Sequence, residues 1–417
     1  MGDSVAVMQW RGAMIDLARH FLDRAFLEKT LRSLALFEFN VLHLHLTDDQ
    51  GWRIEIDSAP KLVEIGSKRA RSQINHSLAE PIFDNREHVG FLSKEDARIL
   101  VSLAQELGIE IVPEINVPGH TGALLAAYPE FGVNQEKNMV TETWGISNNI
   151  LSPLPATFVF LKEVFSEVAS LFPSKYIHVG GDESRIENWL RDPSIVHFMR
   201  EKNFDNPKEV FNFFMIEVEK IVNDLGKTMI TWDDAFAFEP ESATNAVVMS
   251  WRGPEIAQKA LSHARQVIEA PVFPTYFDYS YEVSASEPLA IGGPITVSDV
   301  LKFIPNPDSM GVQFQLWTEY IDKPEHAEYM MWPRAAALAY ACWSNESDFE
   351  EYFAKRKPEL EKLGVVTRDD FIGQAASAAG LGIGAFHPGY PIQDMIRVLA
   401  DSAEEGEIAL SFDNDKE

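Results

Sequence analysis

Short runs of apolar, often β-branched residues alternate along most of the chain with longer stretches in which apolar positions recur every three or four residues. The first pattern fits strands buried on both faces and the second fits amphipathic helices. Together they predict a parallel sheet with helical crossovers. Eight strands are expected, at Ala13–Leu17, Val41–Leu46, Glu110–Ile115, Tyr176–Val179, Thr228–Trp232, Ala246–Trp251, Gln266–Ala270 and Val312–Trp317. Asp23 is placed to cap a helix through Phe26, Leu27, Leu31, Leu34 and Ala35, because its carboxylate can accept the unpaired amides of the first turn. Ser93-Lys94-Glu95-Asp96 approximates a capping box ahead of an apolar face at Ile99, Leu100 and Leu103, with Gly108 as the stop. Phe158–Leu171 and Val210–Leu225 carry the same helical period. Eight strands with helices between them is the count of an α/β fold closed as a (β/α)8 TIM barrel, while an open doubly wound sheet is the alternative that counting strands leaves standing.

The connections are unequal. Roughly sixty residues separate the second and third strands, and a similar length separates the third and fourth. Long connections in such a barrel build the rim of the active site. After Gly364 the pattern weakens into Ala/Gly-rich sequence and an acidic end. Residues 1–364 are therefore expected to form a single catalytic domain, and 365–417 a C-terminal extension without an assigned role.

Composition narrows the possibilities. The chain has 417 residues, of which 46% are hydrophobic and 24% charged, enough for a large core and incompatible with disorder or a collagen-like repeat. A formal net charge of −28 repels polyanions, so nucleic acid and anionic membranes are not expected partners, whereas a neutral sugar or a cationic substrate is admitted. Cys342 is the only cysteine, which excludes an internal disulfide framework and a multi-cysteine zinc site. It lies in the apolar run Ala335–Trp343 and reads as a small buried hydrophobe. No apolar run approaches bilayer length, and Met1-Gly2-Asp3-Ser4 lacks the basic and apolar segments of a secretory leader. A cytoplasmic location is expected, unless a leader has already been removed.

The chemistry collects at the strand ends. In a (β/α)8 barrel the residues just past the strand C-termini face the active site. Here those positions hold Arg19; Asp48 and Asp49; Asn116 and His120; Asp182 and Glu183; Trp232 and Asp233; Trp251; Tyr276 and Asp278; then Trp317 and Glu319. Carboxylates bind hydroxyls and supply acid/base chemistry, and indole faces stack on sugar rings, so the combination points to carbohydrate. In His178-Val179-Gly180-Gly181-Asp182-Glu183 the two glycines allow a tight turn out of the strand, and the adjacent acids can push their ionisations apart. The bland reading of the same segment is an exposed acidic turn capping a helix. His43-Leu44-His45 puts two imidazoles on one strand face, the spacing with which amidohydrolase barrels bind a divalent metal, but further histidines at successive strand ends are lacking. Neither a cofactor nor a metal is expected.

On these residues the chain resembles the catalytic domain of glycoside hydrolase family 20, the β-N-acetylhexosaminidases. The likeness runs from about Arg11 to Gly364 and rests on five motifs in order: Asp16–Phe21, Asn40–Trp52 (NVLHLHLTDDQGW), Pro113–Thr121 (PEINVPGHT), His178–Glu183 (HVGGDE) and Leu316–Glu319 (LWTE). The resemblance implies an exo-acting, retaining enzyme that releases terminal N-acetylglucosamine or N-acetylgalactosamine. In it the substrate's own acetamido group attacks, through an oxazolinium ion, in place of a protein nucleophile. It implies Glu183 as general acid/base, Asp182 as the group that orients and polarises the acetamido group, and Tyr276 as a donor to the acetamido oxygen. Trp232, Trp251 and Trp317 would wall the acetamido pocket, Arg19, Asp278 and Glu319 would bind sugar hydroxyls, and Asp48 with His120 would support the acid. Two departures stand out: many members carry a small α+β domain ahead of the barrel, for which a barrel motif starting at Arg11 leaves no room, and the tail after Gly364 matches nothing in the family pattern. The competing readings are a lacto-N-biosidase of the same family, a carbohydrate-binding barrel without catalysis, and a metal-dependent amidohydrolase built on His43 and His45.

Overall fold

The computed structural model describes residues 8–238, 244–284 and 287–368. Eight parallel strands follow one another around a closed barrel in chain order: β1 (Trp10–Asp16), β2 (Val41–His45), β3 (Glu110–Val117), β4 (Tyr176–Gly180), β5 (Thr228–Trp232), β6 (Val247–Ser250), β7 (Val267–Glu269) and β8 (Gly311–Leu316). Closure is made by β1 against β8, in register from Trp10 opposite Gly311 to Ile15 opposite Leu316. The open-sheet alternative is thereby removed. All eight expected strands are present, although β1 begins at Trp10 rather than Ala13 and β3 continues to Val117.

The helices start and stop where their end chemistry dictates. Asp23 caps Arg24–Ala35 by accepting from the Phe26 amide at 3.0 Å. Ser93 and Asp96 form a reciprocal capping box on Lys94–Glu106, and Gly108 leaves that helix at φ +72, a left-handed angle open to glycine. Pro155–Leu171 and Pro207–Asp224 each open on a proline in the first turn, where a missing N–H costs nothing.

The helical ring is uneven, which a simple alternation does not foretell. Among the described residues, the crossover after β5 carries only the helix Asp234–Phe238, and that after β7 only Val272–Thr275 and Val297–Leu301. The first runs partly through residues 239–243, which lie outside the described residues. The second spends its length on the loop bearing Tyr276 and Asp278. The long connection after β2 forms two small antiparallel pairings, Thr47–Asp48 with Gly51–Trp52 and Lys68–Arg69 with His88–Val89, at the barrel mouth. Cys342 is buried within the helix Arg334–Trp343, where burial pushes its thiol up, out of nucleophilic range. No helix among the described residues is long and apolar enough to cross a membrane.

Two fully buried arginines pin the mouth loops by their carbonyls. Arg53 donates to the carbonyls of Leu17, Ala18, Ser67 and Gly90. Arg334 donates to those of Phe277, Tyr279, Ile295 and Met330, and its guanidinium lies 3.9 Å from the Tyr281 ring centre. Arg334→Met keeps the packing volume but strands several buried carbonyls, each costing about 1–3 kcal/mol. The expected result is a loss of about 3 kcal/mol or more in urea unfolding. A change below about 1 kcal/mol would mean that those carbonyls find other partners.

Candidate active site

Seven of the eight strand ends, all but that of β2, contribute lining to one cleft at the C-terminal mouth of the barrel. Counting its open mouth, the cleft holds about 470 Å³, at the small end of ligand pockets. Arg19, His120, Asp182, Glu183, Trp232, Trp251, Tyr276, Asp278 and Trp317 all line it, with Tyr279 and Ile291 beside them. Asp48 and Glu319 stand behind this lining and reach it through Arg19, at 2.9 Å and 3.9 Å.

The acidic pair is presented by the turn that ends β4. Gly180 and Gly181 take φ of +71 and +91, and the Asn116 side chain occupies the space that a Cβ on Gly180 would need. Asn116 uses that proximity to donate its amide N–H to Asp182 Oδ1 at 2.9 Å. His120 sits beneath both acids, its Nε2 3.5 Å from Asp182 Oδ2 and 3.5 Å from Glu183 Oε2. Its other nitrogen faces Asp48 Oδ1 at 3.0 Å. Burial opposes a charged imidazole, but Asp48 and Asp182 outweigh it and hold His120 well above the usual histidine range. Asp48 is likewise desolvated, yet Arg19 and His120 hold it well below the usual carboxylate range. The result is a buried line of alternating charge from Arg19 through Asp48 to His120, which lies beneath the two acids.

Much of the rest of the cleft wall is aromatic. Trp232 is almost fully buried and donates its indole N–H to Glu114 Oε1 at 3.0 Å. The ring centre of Trp317 lies 5.9 Å from that of Trp232 and 6.2 Å from that of Tyr276, with the Arg19 guanidinium 5.0 Å from it. Trp251 is fixed by its indole N–H to Asp234 Oδ2 at 2.9 Å. Burial, aided by Asp278, raises the Tyr276 phenol well above its ordinary range, so it keeps its O–H donor at any working pH. Burial and the facing Glu319 raise Asp278 in the same way. The floor of the cleft can therefore offer both donors and acceptors to a ring of hydroxyls.

The structure thus brings together the strand-end residues that the sequence singled out, and among those it adds, Glu114 and Asp234 matter most. Glu114, inside β3, is fully buried and faces His45 Nδ1 at 2.6 Å, His43 Nε2 at 2.9 Å and the Trp232 indole. Its signal was a carboxylate inside an apolar strand, which must find partners when buried. Asp234, after β5, holds Trp251 and the Glu183 backbone. Its signal, a pair of adjacent aspartates, does not say which of the two faces the site. His43 and His45 do share the barrel interior, as their alternation requires. His45, however, gives both ring nitrogens to carboxylates, with Asp48 Oδ2 at 2.9 Å from its Nε2. Burial opposes its charge, but Glu114 and Asp48 raise it to about 10. Both His45 nitrogens are thus taken up by carboxylates, which accounts for that imidazole on the strand without a cation.

With this geometry in hand, the chain can be set beside known proteins. Residues 8–346 match glycosyl hydrolase family 20, catalytic domain. The chain is 33% identical over 356 residues to a beta-hexosaminidase of Porphyromonas gingivalis, a match covering 82% of this chain and 44% of that protein. It is 34% identical over 346 residues to a beta-hexosaminidase of Vibrio furnissii, covering 79% of this chain and 56% of that one. The chain therefore spans about half the length of these curated relatives. In structure it resembles an exo beta-N-acetylglucosaminidase from Vibrio harveyi solved with N-acetylglucosamine, with a TM-score of 0.75, 30% identity, and coverage of 87% of this chain and 59% of that one.

Proposed function

The chain belongs to glycosyl hydrolase family 20, and from that premise we propose that it is an exo-acting, retaining β-N-acetylhexosaminidase. It releases a terminal N-acetylglucosamine or N-acetylgalactosamine by attack of the substrate's own acetamido oxygen on the anomeric carbon. The observation that carries this reading is the meeting, within one small cleft, of two adjacent acids with Tyr276 and three tryptophans. A binding protein for sugar has no use for an acid beside a clamp for an amide. The vibrio relative's complex with N-acetylglucosamine supports the same sugar class.

Each residue takes a part in the proposed reaction. Glu183 protonates the departing glycosidic oxygen, and in the second half it takes the proton of the water that opens the oxazolinium ion. Asp182 accepts the acetamido N–H and stabilises the positive charge that grows there as the oxygen attacks, with Asn116 fixing its other oxygen. Tyr276 donates to the acetamido oxygen and aims it at the anomeric carbon. Trp232, Trp251 and Trp317 confine the amide, so the gain is one of proximity. Arg19, Asp278 and Glu319 bind the ring hydroxyls, while Asp48 and His120 hold a cationic imidazole beneath the acids. In this reading residues 1–364 are the catalytic unit and 365–417 an extension to it, and a net charge of −28 disfavours polyanionic partners.

A panel of aryl β-glycosides with and without the 2-acetamido group tests reaction class and mechanism together. Cleavage confined to the acetamido members supports the reading, and equal cleavage of plain glucosides and galactosides overturns it. For Trp317→Ala, kcat is expected to fall by about 10²-fold, proportionally more than KM rises, because the wall acts on the geometry of attack. A change in KM alone would reduce Trp317 to uniform substrate binding.

A further inference from the structure

Asp234 stands where β5 hands over to its short helix, and it is buried. Its Oδ1 accepts the backbone N–H of Glu183 at 3.2 Å, and its Oδ2 accepts the indole N–H of Trp251 at 2.9 Å. The Arg252 guanidinium closes on the same Oδ1, and its carbon lies 5.0 Å from the centre of the Trp251 ring. One carboxylate therefore touches both the proposed acid and a wall of the acetamido pocket, from two different strand ends.

The acid needs such a hold. Glu183 has φ +48, in the left-handed region that residues with a side chain avoid unless their surroundings fix them there. Trp251 has a matching need, since an indole N–H in a buried wall requires an acceptor. Asp233, next in sequence, fixes the backbone of the same segment by accepting the amides of Trp251 at 3.1 Å and Arg252 at 3.2 Å. That leaves Asp234 to set the side chain of the wall and the backbone of the acid.

We propose that Asp234 is a positioning residue for the reaction: its carboxylate ties the Glu183 backbone to the Trp251 indole, so that acid and acetamido wall keep a fixed separation, and Arg252 holds that carboxylate in its accepting form. The inference rests on the roles proposed above for Glu183 and Trp251. Ionised, Asp234 accepts from the amide, the indole and the guanidinium at once. Protonated, it loses the charge that strengthens all three contacts, and its new O–H points among groups that are themselves donors.

The charges around it make this a switch in the working range. Burial is the main force raising Asp234 to about 7, Arg252 pulls against it, and the neighbouring Asp233 and Asp182 push it further up. Arg252 in turn feels Asp234, Asp233, Glu183 and Asp182. With a raised carboxylate the accepting form is present above that value and lost as pH falls through it. The clamp therefore predicts a fall in kcat on the acid side of about pH 7.

Three variants and one exchange measurement test the proposal. Asp234→Ala is expected to lower kcat on an aryl 2-acetamido glycoside by about 10²-fold with KM within about threefold, the signature of lost alignment. Asp234→Asn keeps one oxygen acceptor and should retain more of kcat, but it cannot titrate and should lack the acid-side fall. Arg252→Met removes the group that keeps Asp234 ionised and should move that fall to higher pH. In the ligand-free protein, the Glu183 amide should exchange faster with deuterium in Asp234→Ala than in the parent, with Asp234→Asn between them. Unchanged exchange at Glu183 in Asp234→Ala, a loss confined to KM, or an acid-side fall that persists in Asp234→Asn overturns the proposal. If Asp234→Ala does not fold, the pH profiles of the other two variants decide. A parent enzyme inert on every 2-acetamido glycoside would instead defeat the proposed function, while the exchange measurement would still report on the clamp.

Discussion

Glu183→Gln is expected to lower kcat for alkyl and oligosaccharide 2-acetamido glycosides by about 10²–10⁴-fold, while aryl glycosides with acidic phenols lose far less. The reasoning follows the leaving group. A sugar or alkyl oxygen departs as a strong base unless it is protonated in flight, whereas a nitrophenolate departs unaided. Glutamine preserves the shape and can still receive contact from His120, whose Nε2 lies 3.5 Å from Glu183 Oε2, but it has no proton of useful acidity to give. Rates measured over leaving groups of graded pKa should therefore become steeply dependent on leaving-group basicity in the variant and remain shallow in the parent. Equal losses across the series would remove Glu183 from the role of acid and leave it a structural carboxylate.

The parts of this molecule that were legible in the sequence are those in which local chemistry and global fold agree. Strands of a parallel barrel are covered on both sides, so β6 is buried throughout and reads as the apolar run Val247-Val248-Met249. Asp23 and the Ser93/Asp96 box announced their helices because a cap is satisfied within four residues of itself. The site lining was legible for a topological reason: in such a barrel, residues just past the strand ends share one mouth. What lay beyond reading depends on lateral register. Glu114 stands opposite His45 on one neighbour and His178 on the other, a pairing that exists only once β2, β3 and β4 are aligned. Asp234 is similar. Its partners Glu183 and Trp251 belong to the crossovers on either side of its own, and no local pattern distinguishes it from Asp233. The uneven helical ring was hidden too, since alternation predicts that a crossover exists, not that the site has consumed the length its helix would need.

The largest effect is expected from the substrate rather than the protein. If the acetamido oxygen is the nucleophile, replacing the 2-acetamido group by a hydroxyl removes the attacking atom, and hydrolysis should slow by several orders of magnitude, since a well-placed intramolecular group is worth an effective molarity of about 10⁵–10⁸ M. A cyclic thiazoline that mimics the bicyclic intermediate should bind at least about 10²-fold more tightly than N-acetylglucosamine, because the cleft is complementary to the strained, charged species. Asp182→Asn should weaken the thiazoline and lower kcat together by about 10²–10³-fold, the scale of losing one preorganised electrostatic partner. Asn116 already fills one Asp182 oxygen at 2.9 Å, so the carboxylate is oriented in advance and its charge, not its shape, is what the variant loses. Two inversions at the anomeric carbon leave a β product, and no Asp or Glu becomes glycosylated. Proton NMR of the first-formed anomer and mass spectrometry of enzyme quenched during turnover read these two consequences directly. An α anomer, or a sugar mass retained on an acidic residue, would sink the substrate-assisted mechanism even in an enzyme that proved to be a hexosaminidase.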